Sequence, residues 1–90
     1  MNFEWDERKA GENLRKHGVR FEVASGVFLD PRLVIREDDR FIYEERRYRA
    51  IGAAVGNLLC VVFAERDDVI RIISARKATQ HERQEYQIHS

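Results

Sequence analysis

The sequence predicts an α+β fold made of two N-terminal helices, an antiparallel β-meander and a C-terminal helix. Apolar residues recur at helical spacing before Pro31, and short β-branched runs separated by tight turns follow it. A Thr79-x-x-Glu82 capping box opens the last element. Turns this short imply antiparallel pairing, since a parallel crossover needs about a dozen residues or more.

Asp6 and Gly18 bracket a helix over 7–17, as N-cap and C′ residue, with Ala10, Leu14 and His17 on one face. Phe21, Ala24, Ser25, Phe28 and Leu29 form a second amphipathic stripe, which Asp30-Pro31 ends because proline disfavours helix in the residue before it. Leu33-Val34-Ile35 reads as a strand and Asp38-Asp39 as a turn. A second strand is expected over 47–52, with Gly56-Asn57 as the next reversal. Leu58 to Ala64 is apolar on both faces, as a covered central strand should be. Asp67-Asp68 turns the chain into a last strand over 69–76, and the closing helix runs to about Gln87.

Ninety residues support one domain, 1–90, with one modest core. Sixteen basic and sixteen acidic residues cancel, so general electrostatic attraction to nucleic acid or membrane is excluded and any polyanion site must be local. Thirteen of the sixteen cations are arginines, whose planar fork suits phosphate. A single cysteine, Cys60, rules out an internal disulfide and reads as a small core hydrophobe. Nothing near Met1 resembles a signal peptide, and the longest apolar run is far below the ~20 residues of a membrane span. A cytoplasmic protein without membrane contact is expected.

No metal site or cofactor is expected. His17, His81 and His89 lack paired ligand spacing, and Glu85 stands where a zincin helix carries its second histidine. No glycine-rich phosphate loop is present, and neither Ser25 nor Ser74 sits in a nucleophile elbow. The remaining chemistry lies in cations at element ends. Arg66 extends the row Leu58, Cys60, Val62, Ala64; Arg76 extends the row Ile70, Ile72, Ser74. Antiparallel pairing places these arginines toward opposite ends of the ladder, so spacing alone does not unite them, and ordinary salt-bridged edge arginines fit the same pattern. The mixed run Glu44-Glu45-Arg46-Arg47-Tyr48-Arg49 fits a solvated strand edge equally well. Lys16 and His17 end the first helix, where His17 is either a packing residue or a titratable group near neutral pH.

Several segments in this order resemble the BrnT family of type II toxins: Phe3-Glu4-Trp5-Asp6, Asn13-Leu14-Arg15-Lys16-His17-Gly18-Val19, Val27-Phe28-Leu29-Asp30-Pro31, and Ile70 through Ala78 with Glu82-Arg83-x-x-Tyr86. Tyr43-Glu44 stands where the family pattern carries a glycine. The resemblance implies a RelE-like ribonuclease that inhibits translation by cleaving RNA without metal. It also implies neutralisation by a BrnA-type ribbon-helix-helix antitoxin, with DNA contacted only through that antitoxin. Arg76 and Arg66 are then phosphate clamps, with Lys16, Arg83 and Arg46 as further cations, and His17 or Glu45 as general acid or base. The alternative is a catalytically inactive antitoxin-binding co-repressor.

Overall fold

The computed structural model describes residues 1–39 and 45–89. In chain order these form β1 (Asn2–Glu4), α1 (Glu7–His17), α2 (Phe21–Ala24), a 3-10 turn (Ser25–Leu29), β2 (Val34–Glu37), β3 (Tyr48–Ala54), β4 (Asn57–Arg66), β5 (Val69–Lys77) and α3 (Gln80–His89). Tyr43-Glu44 lies outside the described residues.

The expected bounds of α1 hold. The Asp6 carboxylate accepts from the N–H groups of Arg8 and Lys9 at 2.8 and 3.3 Å. Gly18, at φ 71°, turns the chain out of the helix while its N–H bonds Leu14. The second helix is shorter than the stripe suggests. One α turn gives way at Ser25 to 3-10 geometry, which winds tighter, so Leu29 leaves the stripe and stands 83% exposed.

β2 to β5 form the expected antiparallel meander, but the whole sheet is mixed, in the order β1-β5-β4-β3-β2. The unforeseen β1 pairs parallel with Val69–Arg71 of β5. Three residues are too few to show an alternating pattern, so only the partner strand makes this segment legible. The β3–β4 reversal also falls one residue earlier than expected. Ala54 pairs Asn57, and the loop is Val55-Gly56, with φ 49° and 77°. Asp67-Asp68, at φ 52° and 65°, forms the second such turn where expected.

One sheet face packs on α1, α2 and the 3-10 turn around Phe21, Val27, Val61, Phe63 and Ile72. The turn comes so close that a Cβ at Gly52 would lie 3.1 Å from the Val27 side chain, which explains glycine there. The other face carries a smaller cluster, Val34, Ile51 and Cys60, beneath Tyr86 of α3. Cys60 is buried, and burial first, then the nearby Glu82 charge, pushes its thiol up to about 12. It is a neutral core residue.

The strand feature that matters most is a β-bulge. Val62 pairs Ser74 while Phe63 pairs Ile72, so Ile73 is an extra residue in β5. Beyond it the alternation changes phase. Ile72 and Ala75 both face the main core, whereas Ser74 and Arg76 share the α3 face with Val62 and Cys60. The expected common row of Ile70, Ile72, Ser74 and Arg76 is therefore corrected, because an uninterrupted period of two does not survive the inserted residue.

Candidate active site

Arg76 is built into an ion-pair cluster. Its Nη1 and Nη2 donate to Glu82 Oε1 and Oε2 at 2.7 and 3.0 Å, a fork-to-fork contact, and Arg49 Nη1 donates to Oε2 at 3.2 Å. Glu82 is 3% exposed. It also completes the α3 capping box: its Oε1 accepts from the Thr79 N–H at 2.9 Å, and its own N–H donates to Thr79 Oγ1. Burial pulls this carboxyl up, but the Arg76 and Thr79 bonds and the Arg76 charge outweigh it and hold the group at about 2. Glu82 is thus ionised at every physiological pH and fixes both guanidinium planes.

Arg76 is therefore no free strand-end side chain: it is 28% exposed and anchored on a buried carboxylate.

Lys16 and His17 sit at the other margin of β5. They line a hollow of about 260 Å³ with Lys9, Ile73 and Ser74. β1 covers the β5 edge only as far as Arg71, and beyond it α1 takes over. Asn13, 6% exposed, acts there as a surrogate peptide group. Its Oδ1 accepts from the Ala75 N–H at 3.0 Å, and its Nδ2 donates to the carbonyls of Ala75 and Val19 at 2.8 and 2.9 Å. The α1 C-terminus is thereby locked beside the bulge. Ser74 connects the two regions, since it lines the hollow and precedes Arg76 by two residues on the same strand face.

Glu45 lines a second hollow of about 420 Å³ with Trp5, Lys9, Arg47, Arg71 and Ile73. It accepts from Arg71 Nη1 at 3.4 Å, and Arg71 Nε also donates to Glu4 at 3.1 Å. Lys9 and Ile73 border both hollows, so Glu45, Lys16 and His17 belong to one trough along α1.

Arg66 stands apart. It is exposed beside the Asp67-Asp68 turn, while Arg76 pairs Cys60 six residues back along β4, a separation of about 20 Å at the strand rise. The two arginines cannot grip one phosphate. Arg83 is exposed on α3, and Arg46 is exposed next to Glu45. Arg49, Glu82, Asn13, Trp5 and Arg71 were not singled out from the sequence as site residues. The capping box flagged Glu82 as structural, but its arginine partners come from strand pairing.

Among the described residues, no three His, Cys, Asp or Glu side chains gather as a metal site requires, and no helix is long and apolar enough to cross a membrane. No curated protein matches the chain. A family model described as the ribonuclease toxin BrnT of type II toxin–antitoxin systems matches residues 5–82, a stretch that begins at Trp5 of the trough and ends at the Glu82 hub. With most of its length and both regions inside that match, the chain belongs to the BrnT family of type II ribonuclease toxins.

Proposed function

We propose that this BrnT-family chain is a metal-independent endoribonuclease of RelE-like plan that blocks translation, held inactive by a BrnA-type ribbon-helix-helix antitoxin. The observation that carries the reading is the bulge at Ile73. It turns Ser74 and Arg76 onto the face opposite Ile72, while Ser74 still lines the hollow of Lys16 and His17. Lys16 and His17 meet at Ser74, and Arg76 follows two residues on along β5, on the α3 face.

In this reading the RNA supplies its own nucleophile. The 2′-oxygen attacks the adjacent phosphorus, the bond to the 5′-oxygen breaks, and a 2′,3′-cyclic phosphate and a 5′-hydroxyl result. Arginine does not deprotonate in proteins, so it cannot be the base. Arg76, oriented by Glu82, stabilises the charge that grows on the phosphorane, with Lys16 as a second cation. His17 takes the proton-transfer role, and Glu45 is the other titratable group of the trough. Arg46 and Arg83 hold flanking phosphates. Arg66, about 20 Å from Arg76, contacts the strand elsewhere.

The test is purified protein on end-labelled RNA in EDTA. Cleavage that persists and leaves 5′-hydroxyl ends supports the mechanism; cleavage lost on chelation and restored by a divalent ion, or 5′-phosphate ends, overturns it. One observation favours a catalytically inactive co-repressor instead: Glu82 already neutralises Arg76 and Arg49. Growth arrest when the chain is induced alone rejects that alternative.

A further inference from the structure

Trp5 itself has no role in the chemistry above, yet it lines a hollow of about 420 Å³. Such a volume suits a ligand fragment the size of a nucleotide. Trp5 is half-buried and held at two points. Its ring meets Phe21 edge-on at 6.0 Å, and its Nε1 donates to Glu7 at 2.8 Å. A fixed indole offers a base a stacking surface without a large ordering cost.

The carboxylates around it are engaged. Asp6 caps α1, and Glu4 and Glu45 pair with Arg71. Lys9 lines both hollows and stands two helical turns from Lys16 on the same side of α1. The trough therefore presents an aromatic side chain at one end, a lysine midway, and Lys16 with His17 at the other.

We infer that this trough is the substrate track: single-stranded RNA lies along α1, stacks one base on Trp5, places a phosphate at Lys9, and reaches Lys16 and His17 at its scissile end. This rests on the ribonuclease reading and adds to it a nucleobase subsite remote from the reacting phosphate. α1 runs eleven residues, about 16 Å, which matches about four stacked nucleotides at 3.4 Å each. A mononucleotide is too short to engage both ends.

Trp5 is the single tryptophan of the chain, so its fluorescence reports on this subsite alone. The probe is a hexaribonucleotide methylated at every 2′-oxygen, which removes the nucleophile. Saturable quenching is expected, with a log–log salt slope of about −1.5 to −2 for two or three phosphate contacts. Quenching should be absent with a mononucleotide, and Lys9→Glu should weaken the hexamer about tenfold or more. Lys9 is exposed, so this variant keeps the fold, as an unchanged melting curve verifies. No quenching from a chain that still cleaves unmodified RNA sinks the track and leaves the ribonuclease reading standing. Quenching indifferent to salt and to Lys9→Glu also sinks it. A chain that neither binds nor cleaves RNA removes both.

Discussion

Glu82 holds a full charge inside the fold because three donors surround it, two guanidinium groups and the Thr79 N–H. Its folded pKa of about 2 lies below the ordinary 4.5, so it contributes stability above pH 4.5 and loses that contribution as the pH falls toward 2. The displacement corresponds to about 3 kcal/mol. Urea denaturation from pH 6 to pH 2 should show this loss in the native chain, and Glu82→Gln should flatten the slope while being less stable at pH 6. The same geometry sets what Arg76→Ala must do. Removing one partner of a largely buried pair costs about 2–3 kcal/mol, a fall of roughly 10–20 °C in melting temperature for a domain this size. Arg76→Lys keeps the charge and loses the fork, and is the more informative variant. If Arg76 clamps the phosphorane, RNA cleavage by Arg76→Lys, assayed well below its melting temperature, drops by about tenfold or more. Unchanged cleavage would mark Arg76 as a purely structural partner of Glu82.

At the level of elements, local conformation and edge satisfaction decide stability. Val55 is a β-branched, 81% exposed residue held at φ 49° by a two-residue hairpin that requires left-handed backbone. Val55→Asn creates the Asn-Gly pair such turns favour and should raise stability by about 0.5–1 kcal/mol, read as a higher urea midpoint with unchanged slope. Asn13 shows the opposite case. It replaces a missing strand neighbour for Ala75, so Asn13→Ala leaves a buried N–H and a carbonyl short of partners. The expected cost is about 2–4 kcal/mol, and hydrogen exchange should accelerate first at the Ala75 amide.

Across the whole molecule, charge is balanced by pairing rather than by dilution. Arg36 meets Glu85, Arg49 and Arg76 meet Glu82, and Arg71 meets Glu4 and Glu45. α3 is pinned by two of these acids and by Tyr86, whose hydroxyl donates to Asp30 at 2.7 Å. That bond raises the tyrosine pKa, with burial and the Asp30 charge adding to it. Net neutrality leaves little long-range pull on RNA, and the type II toxin family implies an antitoxin partner. If the proposed ribbon-helix-helix antitoxin is the partner, co-expression with it should yield one complex on gel filtration, with two copies of this chain on a dimeric antitoxin. Separate elution of the two proteins would overturn the partner reading.

Local signals were legible in the residues themselves. Asp6 and Gly18 bound α1, Thr79 and Glu82 open α3, and Asp67-Asp68 reverses the chain, because caps and two-residue turns are satisfied by their own neighbours. The BrnT resemblance was legible for the same reason, since it rests on contiguous segments such as Ile70 through Ala78. Tertiary structure alone decided the rest. β1 is a strand only because β5 offers it an edge, and Asn13 is buried only because that edge runs out. The bulge at Ile73 reversed the face of Arg76, because inserting one residue shifts a period of two by half. Pairing distance then separated Arg66 from Arg76 and brought Arg49, thirty-three positions away from Glu82 in sequence, onto the same carboxylate. A side chain's partners are set by which strand lies beside it, and that choice belongs to the packed sheet rather than to any one segment of the chain.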